Sequence, residues 1–70
     1  MAYAVHWVGY GQDNTHGVYK TLEEAQDSVR AWWKKNDFEP FYVRQWVKDG
    51  IMVWDYGSHT CFYEFHPVVI

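Results

Sequence analysis

The chain opens on strict alternation. In Ala2-Tyr-Ala-Val-His-Trp-Val8, Tyr3, Val5 and Trp7 share one side while Ala2, Ala4, His6 and Val8 share the other, the period-two pattern of a strand with one heavier face. Residues 9–17, Gly-Tyr-Gly-Gln-Asp-Asn-Thr-His-Gly, lose that period and concentrate turn formers, so they read as a loop. Gly17-Val-Tyr-Lys20 reads as a short second strand returning against the first. Thr21-Leu-Glu-Glu24 then marks a helix start, because the Thr21 hydroxyl can accept from the Glu24 amide while the Glu24 carboxylate reaches back. The pattern predicts a helix over 22–35, with Glu23, Glu24 and Asp27 near its start and Lys34 and Lys35 at its end, as the macrodipole favours. Asn36 is the expected left-handed closing residue. Leu22, Ala25, Val29 and Trp32 fall on one stripe, and Trp33 flanks it. One of the two adjacent tryptophans is therefore expected in the core and the other at its margin or outside.

The remainder reads as an antiparallel meander. Two β-rich runs, 41–47 and 51–56, flank Asp49-Gly50, a strong two-residue hairpin signal. That turn sets Arg44 opposite Asp55, a favourable charge pair, and Trp46 opposite Val53. A second turn over 57–59 leads to a third run, 61–66, where Pro67 implies an edge position or a strand end. Alternation places Phe41, Val43, Gln45, Val47, Met52, Trp54, Tyr56, Cys61, Tyr63 and Phe65 beneath the helix. Tyr42, Trp46, Ile51, Val53 and Phe62 share the outer face with Arg44, Lys48, Asp55, Glu64 and His66. The expected fold is a single small α+β domain over residues 1–70, β(β)αβββ, an antiparallel sheet with one helix packed on one face.

Composition sharpens the functional side. Fifteen of the 70 residues are aromatic, against one leucine and two isoleucines. Such residues build cores from few sites and also anchor interfaces. A chain of this size has a marginal core unless a disulfide, a metal or a second copy supports it. One cysteine excludes an internal disulfide, and the absence of an apolar leader after Met1 makes a reducing cytoplasm the expected compartment. No apolar run approaches the roughly 18 residues that span a bilayer. Self-association is left as the expected support. The tail Val68-Val69-Ile70 after Pro67 is an apolar segment with no evident internal partner.

Net charge is −3, and the excess acid lies in residues 36–70, where Arg44 and Lys48 face five carboxylates. Without a basic cluster to displace counterions from phosphate, nucleic acid is disfavoured as a partner. His59, Cys61 and His66 lack zinc-ligand spacing, so no metal and no cofactor is expected. Glu23 and Glu24 are adjacent on a helix and diverge, so no catalytic residue is assigned and the chain is not read as an enzyme. The three-glycine stretch over 9–17 lacks the Lys-Ser/Thr of a phosphate loop.

Tyr3-Ala4-Val5, Gly17-Val18-Tyr19 and Glu24-Ala25 together resemble the opening of the hybrid-binding domain found at the N-terminus of ribonuclease H enzymes, a likeness that implies binding to an RNA–DNA hybrid. It covers at most the first thirty residues. The other forty read as an aromatic meander outside it.

The leading expectation is a small protein-interaction module acting by binding, a homodimer that also engages another protein, of the size of many phage- or mobile-element-encoded inhibitors and regulators. The residues expected to meet a partner are Tyr42, Arg44, Trp46 and Phe62 on the outer face, with Tyr10 and His16 in the loop. The alternative is a single-stranded nucleic-acid binder that stacks bases on sheet aromatics.

Overall fold

A computed structural model describes residues 2–40, 42–57 and 60–69. In chain order they form β1 (Ala2–Gly9), β2 (Gln12–Tyr19), α1 (Leu22–Lys35), β3 (Arg44–Lys48), β4 (Ile51–Asp55) and β5 (Phe62–Val68). The strands make one antiparallel sheet in the order β2-β1-β5-β4-β3. This is the expected α+β architecture, with α1 on one face.

The segment expected to be a loop is mostly strand. Only Tyr10 and Gly11 turn, both at positive φ (51° and 75°), the backbone of a type I′ hairpin. Asp49-Gly50 repeats that geometry (53° and 79°). The second turn is legible in sequence because Asp tolerates this region, whereas Tyr seldom enters it. β2 lacks alternation because it is a sheet edge whose first half buries nothing. Its register to β1 shifts between Val5↔Gly17 and His6↔Thr15, leaving His16 as the extra residue of a bulge.

Thr21 caps α1 as expected, its hydroxyl accepting the Glu24 amide at 3.1 Å. The exit differs by one residue: Asn36 has φ −99° and Asp37 takes the left-handed position at 52°. The Phe38 amide then bonds the Trp33 carbonyl at 2.8 Å, closing a Schellman turn. Ala25, Val29 and Trp33, at i, i+4 and i+8, are the buried stripe, and Trp32 is 47% exposed. The expected stripe through Trp32 is thus corrected: four-residue spacing from Val29 carries Trp33 inward.

Val5, Val29, Trp33, Trp54, Tyr63 and Phe65 dominate the core, with Trp33 stacked on Trp54 at 6.0 Å and Phe65 edge-on to Trp54 at 5.0 Å. Arg30 lies 5.1 Å above the Trp54 ring. The Arg44↔Asp55 and Trp46↔Val53 register is as expected. Two placements differ. Val43 and Val47 lie exposed on the helix side because α1 crosses β1 and β2 and does not reach β3. β5 is central, between β1 and β4; Pro67 sits near its end, past the Met52↔Phe65 pairing of β4, so a missing N–H is tolerated there. Val68 belongs to β5 and pairs with Ala2, so only Val69 of the described tail projects freely. Phe41, Ser58, His59 and Ile70, which entered the sequence expectations, lie outside the described residues.

Candidate functional site

Four of the six expected partner residues come together at one end of the sheet. β3 is its last strand, and every β3 residue is exposed. Trp46 meets Phe62 edge to face at 6.2 Å, across Val53, and with Lys48 and Glu64 these three line a shallow cavity of about 180 Å³. The Arg44 guanidinium lies 5.2 Å over the Tyr42 ring and donates to Asp55 at 2.8 Å. Asp55 is buried and also accepts the Gly57 amide at 3.0 Å, so the pair ties the β3 edge to the turn after β4. The Asp55 hydrogen bond, helped by Tyr42, holds the Arg44 pKa above its ordinary value.

Tyr10 and His16 are elsewhere. Tyr10, at the β1–β2 turn, is 77% exposed and borders a cavity of about 450 Å³ with Trp7, Phe38 and Tyr56. The bulge turns His16 toward the helix side, where it packs edge-on to Trp32 (5.9 Å) and Tyr63 (6.2 Å). Between these positions, Trp7, Trp32, Trp33, Phe38, Tyr56 and Tyr63 line an aromatic cleft of about 320 Å³ at the C-terminal end of α1. Within it the Trp7 indole donates to the Tyr56 hydroxyl at 2.9 Å. Burial pushes the Tyr56 phenol up, and burial together with neighbouring Tyr56 pushes Tyr63 up to about 12. Both phenols are therefore neutral at physiological pH, and the cleft offers π-faces and a hydroxyl. Sequence reasoning missed it because its walls come from four separate segments. Trp32, displaced from the core by Trp33, was its one local signal.

The open sheet face carries a second arrangement that sequence reasoning missed. His6 on β1 and His66 on β5 lie with ring centroids 4.4 Å apart, tilted by 55°. His6 Nδ1 is 2.7 Å from Asp13 on β2, and His66 Nε2 is 2.8 Å from Glu64. The pairing of residues sixty apart is set by the β1–β5 register, to which no local pattern points. Cys61 is buried against Gly9, far closer than a side chain at that glycine would allow. Among the described residues, no three or more His, Cys, Asp or Glu side chains form a metal-binding group, and no helix is long and apolar enough to cross a membrane.

No protein-family model, curated protein or solved structure matches the chain.

Proposed function

We propose that this chain is a protein-interaction module that acts by binding, and that its partner is a second copy joined edge to edge along residues 42–48. The observation that carries the reading is the state of β3: a sheet edge with all of its residues exposed, Trp46 at 41% and Val47 at 63%. Such an edge offers unpaired N–H and C=O groups, and apolar side chains on both faces add area to any strand laid beside it.

The residue pattern favours self-pairing. With a two-fold axis normal to the sheet, an antiparallel pairing centred on Gln45 sets Val43 against the second copy's Val47, Arg44 against its Trp46 and Tyr42 against its Lys48. Each cation then faces an aromatic ring, an attractive contact, and no like charges meet. Centring on Trp46 instead would oppose Arg44 and Lys48. An isologous pair of this kind supplies the support that a small core lacks. A reducing cytoplasm suits the single free thiol, buried at Cys61.

A nucleic-acid ligand is less well supported, because Asp13, Asp55 and Glu64 share the open face with Trp46 and Phe62, and Arg44 is committed to Asp55. Light scattering across a concentration series tests the proposal. A dimer mass emerging by ~100 μM is expected, since association stronger than about 5.5 kcal/mol registers there. A monomer throughout, or tryptophan quenching by single-stranded oligonucleotide or RNA–DNA hybrid at low salt, contradicts it.

A further inference from the structure

We infer that His6 and His66 form a two-imidazole chelate on the open sheet face for a tetragonal late first-row divalent cation, Cu(II) or Ni(II). The chemistry starts from the two carboxylates. An ionised carboxylate only accepts hydrogen bonds, so the ring nitrogens that face Asp13 and Glu64, His6 Nδ1 and His66 Nε2, are the protonated ones in the neutral rings. The lone pairs are thereby assigned to His6 Nε2 and His66 Nδ1, one on each of two touching rings. An imidazole whose second nitrogen donates to a carboxylate is the arrangement that orients a metal-binding histidine and fixes its tautomer. Both rings have it.

The spacing selects the metal. With metal–nitrogen bonds of about 2.0–2.1 Å, a cation lies roughly 3.2 Å from the centroid of each ring it binds. Two centroids 4.4 Å apart then subtend an angle of about 90° at the metal, the cis angle of square-planar and octahedral sites, whereas a tetrahedral zinc site would need the rings roughly 0.8 Å farther apart. Both imidazoles are about three-quarters buried, with side-chain exposures of 25% and 28%. Each is thus held by its strand and still open to solvent for the water ligands that complete the shell.

The test is titration of the intact chain with Ni(II), Cu(II) and Zn(II) at neutral pH, followed by calorimetry and by NMR. One equivalent of Ni(II) or Cu(II) is expected to bind, and paramagnetic broadening should begin at residues flanking 6 and 66. His6→Gln and His66→Gln, whose amides can still donate to Asp13 and Glu64, should each abolish stoichiometric uptake. Asp13→Asn should weaken it about tenfold, the usual cost of losing an outer carboxylate. Uptake unchanged in either histidine variant, broadening that begins elsewhere, or no uptake at all by the wild type overturns the assignment. The broadening map reads the wild-type protein, so it decides the matter even where a variant folds poorly.

Discussion

The two edges of the sheet are built in opposite ways. β2 is polar over Gln12–Thr15, carries the Asp13 carboxylate and is interrupted by the His16 bulge; α1 lies across it, and Tyr19 reaches the core. β3 is a five-residue strand that pairs with β4 in continuous register, outside the reach of α1, with Trp46 and Val47 exposed on opposite faces. Charge, a bulge and a covering helix are the devices by which sheets blunt an edge. β2 has all three. β3 has only charge, in Arg44 and Lys48, with neither bulge nor covering helix, so the same sheet guards one edge three ways and leaves the other suited to pairing.

The covered half of the sheet fails most visibly when its helix is untied. Trp33→Ala removes the ring that ties α1 to Trp54, Tyr56 and Tyr63, and a loss of about 3–5 kcal/mol is expected in chemical denaturation. A loss below 1 kcal/mol would mean that the helix is held by something else. Trp46→Ala strikes the other edge: association should weaken by about 2 kcal/mol or more, with the far-ultraviolet spectrum of the folded chain retained. Unchanged association would remove Trp46 as an anchor. Thr21→Ala is expected to cost about 1 kcal/mol of stability through the lost cap and to leave association per folded chain untouched, which denaturation and sedimentation can separate. The smallest signal is alkaline. Because folding raises the Tyr63 pKa to about 12 from the ordinary 10.0, its contribution is full below about pH 10 and is lost as pH rises through about 12. Tyr63→Phe should flatten that part of the stability profile, and tyrosinate absorbance reports the transition directly.

What could be read from the sequence follows how local each signal is. The cap at Thr21, the Asp49-Gly50 turn and the Arg44–Asp55 register are set by residues within a few positions of one another, and each stands as expected. The outer-face cluster of Tyr42, Arg44, Trp46 and Phe62 followed from that register plus alternation. The Tyr10-Gly11 turn was hidden by an unusual residue in left-handed geometry, and β2 by the polarity that protects an edge. The central place of β5, and with it the His6–His66 contact, depends on pairing between the two ends of the chain, which carries no periodic mark. Val43 and Val47 show the same limit: alternation gave them the helix face, but not how far the helix extends over it.

The most direct test sets the two edges side by side. Val18 on β2 and Val47 on β3 are both exposed apolar edge residues, at 57% and 63%, and lysine at either should change the stability of the fold by no more than about 0.5 kcal/mol. Solution mass by light scattering over a concentration series is then measured for the wild type, Val18→Lys and Val47→Lys. A dimer is expected for the wild type and Val18→Lys and a monomer for Val47→Lys, because the new lysine would face Val43 of the second copy, where neither a ring nor a carboxylate receives its charge. A dimer that survives Val47→Lys, or one that is lost with Val18→Lys instead, contradicts pairing through β3.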